Sequence, residues 1–284
     1  MHNKNILVTG GNGFVGRNLV AELRKANSVE IVDRVTHINK DNYDLIFHLA
    51  SNTDTRDNYE PAQANNVFEF SVIADVAKTH RTPVVYASSA AVYGHGSSKA
   101  VLHSVVESPM RPMNAYARSK ALIETYASFF EGQFSNIGLR YFNVYGPGES
   151  HKTGYNSMIY QMIDCLKLGR PIKLFKYGEQ KRDFIYVDDA VRYTIRAGDL
   201  VLESDFSTVY NVGSGSAVTF SKVADLLMKE LGIFCDIDFI ENPYGFFQSY
   251  TCADMSITNY VFNMTPQHDI ASGIKEYLKN WGKP

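Results

Sequence analysis

The chain has 284 residues, of which 45% are hydrophobic and 20% charged; this gives one large domain or two modest ones a sizeable core and excludes a disordered chain. The formal net charge of -2 does not favour nucleic acid as the main partner, and no apolar run approaches the ~20 residues that span a bilayer. Three dispersed cysteines, Cys165, Cys235 and Cys252, make neither a disulfide framework nor a metal-ligand pattern, so no metal is expected and the expected setting is the reducing cytoplasm.

In chain order, Asn5–Thr9 predicts a buried strand running into a glycine loop over Gly10–Gly16. A helix over Phe14–Ala26 carries Phe14, Val15, Leu19, Val20 and Leu23 on one side. Val29–Val32 predicts a second strand, ending at Asp33. Strands over Asp44–Ala50, Pro83–Ser88 and Ile137–Tyr141 then alternate with helices over Ala62–Thr79 and Tyr116–Phe130. Continuously apolar strands between helices predict a parallel sheet covered on both faces. The second half is less regular. Helices are expected over Ser157–Leu168, Asp188–Ala197, Ser221–Leu231 and Ile270–Trp281, and Val209–Val212 reads as a strand returning to the sheet.

The loop reads Thr9-Gly10-Gly11-Asn12-Gly13-Phe14-Val15-Gly16. Between a strand and a helix its spaced glycines have separate jobs. Gly10 allows the tight turn, Gly13 lets backbone N–H groups approach a pyrophosphate, and Gly16 lets the helix pack closely on the strand. The helix N-terminus carries unpaired donors and partial positive charge, which favour an anion. Asn12, Phe14 and Val15 are expected to complete the cofactor site. Asp33 can accept hydrogen bonds from both ribose hydroxyls and repel a 2′-phosphate, which points to NAD; the adjacent Arg34 can hold a 2′-phosphate and keeps NADP open. The fold class expected is therefore α/β: a Rossmann-type doubly wound parallel sheet over residues 1–145, rejoined by residues 183–212, with a smaller mixed α/β substrate-binding domain built mainly from residues 146–284.

Two segments carry candidate chemistry. Tyr86-Ala-Ser-Ser-Ala-Ala-Val-Tyr-Gly94 places Ser88 and Ser89 at a strand end, and Tyr116-Ala-Arg-Ser-Lys120 opens a helix. Tyrosine and lysine four apart share one helical face. A free phenol with a pKa near ~10 is no base at neutral pH, but a nearby ammonium favours the phenolate. A serine hydroxyl can hold the substrate oxygen beside that phenol while a hydride leaves for a nicotinamide.

Together with Phe47-His48-Leu49-Ala50, these motifs resemble the extended short-chain dehydrogenase/reductase superfamily, mostly nucleotide-sugar epimerases, dehydratases and reductases. The resemblance covers nearly the whole chain. It implies a catalytic triad of Ser89, Tyr116 and Lys120, and a cofactor site also lined by His48, Leu49, Ala50, Asn66, Ser88 and Tyr141. It also implies a homodimer, often formed through the helices near residues 62–79 and 116–130. Dehydratases of the superfamily carry an Asp-Glu pair directly after the catalytic hydroxyl residue; Ala90 and Ala91 stand there and cannot transfer protons.

The segments Arg140–Lys152, Leu174–Asp188, Tyr210–Gly215 and Gln248–Asp254 are similar to one branch, the ADP-glycero-manno-heptose 6-epimerases. Inverting a carbinol centre through a ketone requires hydride removal from one face and return to the other. An exocyclic ketone can rotate, so its oxygen then needs a second proton donor, and the similarity implies Lys152 for that role opposite Tyr116. It likewise implies Arg182 for a substrate diphosphate, with Ser89, Ala90, Asn143, Phe175 and Gln248 around the nucleotide sugar. Arg182 has a second reading, as a structural ion pair with Asp183. The competing functions are a C4-epimerase or 4-ketoreductase that uses Tyr116 without Lys152, and a non-catalytic cofactor-binding protein. Three departures accompany the resemblance. The connection from Asp33 to Asp44 is too short for the usual helix and edge strand, so one edge strand is expected to be missing. Phe246 stands where an arginine is usual, and so does Gly148.

Overall fold

The computed structural model describes residues 1–33, 35, 38, 43–53, 60–94, 109–150, 156–205, 207–242 and 248–282. Six parallel strands form the central sheet: β1 (Asn5–Thr9), β2 (Ser28–Val32), β3 (Leu45–His48), β4 (Val84–Ser89), β5 (Asn136–Tyr141) and β9 (Ser207–Val212), in the order β2-β1-β3-β4-β5-β9. The last of these is the predicted returning strand. β2 forms one edge among the described strands; most of the Asp33–Asp44 connection, where the usual edge strand is expected to be missing, lies outside the described residues.

Neighbouring residues of each strand serve opposite faces. Ile6, Val8, Leu45, Phe47 and Val85 belong to one apolar cluster, while Leu7, Ile46, Val84 and Tyr86 belong to the other. This is the two-residue period of a sheet buried on both sides. The first face is covered by α1 (Phe14–Leu23) and α5 (Val187–Glu203), which pack on each other. The second is covered by α2 (Glu60–His80) and α3 (Ala115–Ser128), also packed together.

The rest of the chain builds two small sheets. β6 (Asn143–Tyr145), β8 (Lys181–Tyr186) and β10 (Ala217–Thr219) are ordered β10-β8-β6, and β7 (Ile172–Phe175) pairs in parallel with β11 (Ile237–Ile240). Around them lie α4 (Met158–Lys167), α6 (Phe220–Leu231), α7 (Ser256–Phe262) and α8 (Ile270–Lys279). Ser157, Thr219 and Asp269 cap three of these helices through their side-chain oxygens. No helix among the described residues is long and apolar enough to cross a membrane.

After β1 the chain steps outward to β2, then returns to the other side of β1 as β3. Connections leave in opposite directions at this point, which opens a crevice at the carboxyl ends of β1 and β3, where ligands bind in sheets of this kind. The sequence motifs converge there.

Candidate active site

A cleft of about 390 Å³ opens at that switch point. Its lining brings together Gly10, Gly13, Phe14, Val15 and Gly16 after β1, Leu49 and Ala50 after β3, Ser88 and Ser89 at the end of β4, Tyr116 and Lys120 on α3, and Tyr141 at the end of β5. Ser51, Thr53, Ala87, Phe142 and Val144 also line it; Ser51 and Thr53 lie outside the sequence motifs, and the other three lie within them with no role assigned. A second cavity of about 360 Å³ shares Gly10, Ala50 and Ser51 with the first and adds Asp33, Asn52, Asn65, Asn66 and Glu69.

The glycine loop is shaped for close approach. Gly10 sits at φ +69, and a Cβ there would lie 2.6 Å from the Ala50 nitrogen. A Cβ on Gly16 would lie 2.1 Å from the Gly10 carbonyl oxygen, so this helix turn can touch the loop only without a side chain. That oxygen already accepts the Gly13 N–H at 3.0 Å. The N-cap of α1 is Gly13, and no side chain caps the helix. Its first N–H groups therefore remain available to an anion, and the loop fits a dinucleotide pyrophosphate. Asn12 Nδ2 donates to Asp33 Oδ2 at 2.5 Å, which ties the loop to the end of β2. Arg34 lies outside the described residues.

His48 and Asn66 are not in the lining of the first cleft. His48 is 1% exposed beneath the cleft floor, with Nδ1 2.8 Å from Thr9 Oγ1 and Nε2 buried without a hydrogen-bond partner. Burial, reinforced by the Lys120 charge, pushes its pKa down to about 3, so the ring is neutral. Asn66 holds the main chain after β3: its Oδ1 accepts the Asn52 N–H at 2.7 Å, and its Nδ2 bonds the Asn52 carbonyl, Gln63 and Ser119.

The Ser–Tyr–Lys group is assembled as the spacing requires. Asn114 caps α3 by accepting the Ala117 N–H at 2.8 Å, which starts the helix one residue before Tyr116. The Tyr116 phenol is hydrogen-bonded to the Ser89 side chain. Lys120 is 2% exposed; its Nζ lies 5.9 Å from the Tyr116 ring centre and donates to the Ala87 carbonyl at 2.8 Å. The electrostatics differ from the sequence expectation. Burial drives the Tyr116 pKa upward, and the Ser89 hydrogen bond is what opposes it. The lysine is held against β4 rather than against the phenol oxygen, and its own pKa is pushed down to about 8, burial outweighing Glu124 and Glu69. Ala90 and Ala91 follow Ser89 in a single 3-10 turn that Ser89 itself caps.

Asn143, Phe175, Arg182 and Gln248 lie outside the lining of both cavities. Asn143 Nδ2 donates to the Asp183 carbonyl at 2.9 Å, and Gln248 Nε2 to the Gly94 carbonyl at 2.8 Å. Arg182 forms no ion pair with its neighbour. Asp183 instead accepts the Ser214, Gly215 and Ala253 N–H groups and the Ser214 hydroxyl. The guanidinium donates to the Lys181 carbonyl and rests 5.7 Å from the Phe220 ring centre, and burial lowers its pKa to about 10. A half-buried cation without a carboxylate partner among the described residues suits a phosphate. Phe175 ends β7. Lys152, Phe246 and the rest of 151–155 and 243–247 lie outside the described residues.

Sequence reasoning missed Glu124, which is buried one turn beyond Lys120. It accepts two hydrogen bonds from Arg140, at 2.9 and 2.6 Å, and a third from the Ser88 hydroxyl. The signal was present: Tyr116, Lys120 and Glu124 repeat at four-residue spacing along one helix face.

The model of the NAD dependent epimerase/dehydratase family matches residues 32–213. The chain is 34% identical to the ADP-L-glycero-D-manno-heptose-6-epimerase of Alkalilimnicola ehrlichii, over 96% of each chain. Among solved structures it is similar to the Helicobacter pylori ADP-L-glycero-D-manno-heptose-6-epimerase, with 30% identity and a TM-score of 0.87 over 98% of this chain and 96% of that one. It is also similar to a UDP-N-acetylglucosamine 4-epimerase from Methanobrevibacter ruminantium M1, with 25% identity and a TM-score of 0.89 over 98% of each.

Proposed function

Because the chain belongs to the NAD dependent epimerase/dehydratase family, we propose that it is an NAD-dependent nucleotide-sugar epimerase that inverts a carbinol centre through a transient ketone. One observation carries the reading: Ser89, Tyr116 and Lys120 line the same cleft as the Gly10–Gly16 cradle. A dinucleotide would be held by the backbone of Gly10–Gly16 at its pyrophosphate and by Asp33 at its ribose; Asp33 would repel a 2′-phosphate, which favours NAD over NADP. NAD, when bound, takes up and returns the hydride and brings a pyridinium charge that counters the upward push of burial on the phenol.

The residues of the chain handle the proton. Ser89 holds the substrate oxygen beside Tyr116, and the phenol oxygen takes the hydroxyl proton and gives it back, acting as base in one direction and acid in the other. Lys120, protonated at neutral pH and anchored on β4, favours the phenolate. The substrate proposed is an ADP-heptose inverted at its exocyclic carbon, as the names of the relatives suggest. Lys152 is the second acid/base on the strength of its sequence context, and Arg182 binds the diphosphate. Residues 1–145 with 183–212 would serve as the dinucleotide domain and the remainder of 146–284 as the substrate domain. A homodimer through α2 and α3 is proposed from their exposed Phe68 and Leu122 and the adjoining Phe129.

A second reading, inversion at C4 of a UDP-sugar, draws on the similarity to the 4-epimerase. Incubation with ADP-heptose and with UDP-hexoses, followed by NMR of the sugar, separates the two. The proposal expects an equilibrium mixture of heptose epimers with no net NADH. Steady accumulation of NADH would overturn the closed redox cycle.

A further inference from the structure

Three consecutive residues at the end of β4 are each held by a different turn of α3. Ala87 offers its carbonyl to Lys120 Nζ at 2.8 Å, Ser88 gives its hydroxyl proton to Glu124, and Ser89 is hydrogen-bonded to Tyr116. Glu124 is the hub of this zipper. Its side chain is 5% exposed, and it accepts two further hydrogen bonds from Arg140 Nε and Nη2. Arg140 stands beside Ser88 in the β4–β5 register, lies 4.8 Å from the Tyr93 ring centre, and so connects to Asn211 on β9, which accepts the Tyr93 hydroxyl at 2.6 Å.

We propose that Glu124 is a positioning residue: its carboxylate clamps the Ser88–Ser89 end of β4 to α3 and supplies the buried negative charge facing the Lys120 ammonium. The inference rests on the function proposed above and deepens it, because the residues being aligned are those that move the proton. A buried ion pair is weak evidence of a stabilising role, since apolar pairs of similar volume often do as well or better. Its place between Lys120 and Ser88 is what calls for another explanation.

The charged and titratable groups facing Lys120 are few. Its own helix offers Tyr116 and Glu124, α2 offers Glu69, and β3 offers His48, which is neutral. β4 contributes the Ala87 carbonyl, and Arg140 on β5 pairs with Glu124. Burial lowers the Lys120 pKa, and Glu124 is the larger of the two charges that oppose this. Without it the lysine is expected to lose its proton at a lower pH.

The test titrates Lys120 in cofactor-free protein labelled with 15N-lysine, following its side-chain nitrogen by NMR and assigning it with Lys120→Arg. Glu124→Gln removes the carboxylate that neutralises the buried Arg140, so Glu124→Gln/Arg140→Met, which removes both charges, is measured beside it. The expected midpoint lies at about 8 in the wild type. In the double variant it falls by about one pH unit, a tenfold change in the charged-to-neutral ratio, and the alkaline limb of kcat moves with it while KM holds. Glu124→Asp restores both toward wild type. An unmoved midpoint, or wild-type kcat across the pH range, overturns the assignment. Where the double variant does not fold, Ser88→Ala breaks the β4 link alone: a lowered kcat with an unmoved midpoint is expected, and unchanged kcat overturns the clamp. Wild-type protein inactive on every nucleotide sugar would sink the functional reading, but the NMR midpoint would still decide the role of Glu124.

Discussion

Gly16→Ala separates a cofactor cradle from an ordinary turn. The new Cβ would lie 2.1 Å from the Gly10 oxygen and 2.9 Å from the Gly10 carbonyl carbon, both backbone atoms, whereas real Cβ atoms essentially never come within 3.0 Å of another heavy atom. The first turn of α1 must therefore lift from the loop by about 1 Å, at a cost of about 1–3 kcal/mol for overpacking. The same carbonyl accepts the Gly13 N–H, so the movement also disturbs the donors at the helix start. NAD affinity, followed by calorimetry, is expected to fall at least about tenfold, or ~1.4 kcal/mol. Gly132→Ala is the control: it too has positive φ, +77, but nothing lies within 4 Å of its Cβ position, so it should cost about 1 kcal/mol of stability and leave NAD binding intact. A Gly16→Ala protein that binds NAD within about twofold of wild type would refute the reasoning.

Other expectations concern acid stability and the substrate side of the cleft. His48 has a folded pKa of about 3 against 6.5 for an exposed histidine, so between those values the unfolded chain binds the extra proton. Its contribution is complete above pH 6.5 and is lost as the pH falls toward 3, by about 3 kcal/mol at pH 4. Urea melts at neutral pH and at pH 4 should show His48→Asn losing less stability on acidification by that amount; equal losses would contradict it. Arg182→Ala should raise KM for the nucleotide sugar at least about tenfold with little change in thermal midpoint, because no ion pair is broken; a destabilised variant with unchanged KM would return Arg182 to a structural role. Lys152→Ala should lower the rate of epimerisation at least about 100-fold, and unchanged turnover would remove the second acid/base.

The parts of the fold legible from sequence were those with local signals. β1, the glycine loop and α1 are fixed by three spaced glycines, and the central strands by apolar runs between helices. The sequence pattern predicts α5 only over Asp188–Ala197. The helix instead runs to Glu203, and Gly198 lies where it crosses Phe47, the missing side chain leaving room for that ring. β6, β7, β8, β10 and β11 were not predicted: most are three or four residues long, and each is stabilised by a partner distant in sequence. The Ser–Tyr–Lys group was legible because a helix and a strand end bring it together. The direction of the Tyr116 shift was not, because burial depends on the whole assembled cleft rather than on the four-residue spacing. The charge on Lys120 likewise depends on Glu69 from another helix.

The central claim, reversible oxidation at Tyr116 with return of the same hydrogen, is tested most directly by isotope. A nucleotide sugar carrying deuterium on the carbon to be inverted is incubated with the protein in ordinary water, and the product is analysed by NMR and mass spectrometry. The account predicts that the epimer keeps its deuterium on that carbon and that Tyr116→Phe forms almost none of it. Replacement of the deuterium by solvent hydrogen would mean inversion by proton abstraction at carbon, and would contradict the account.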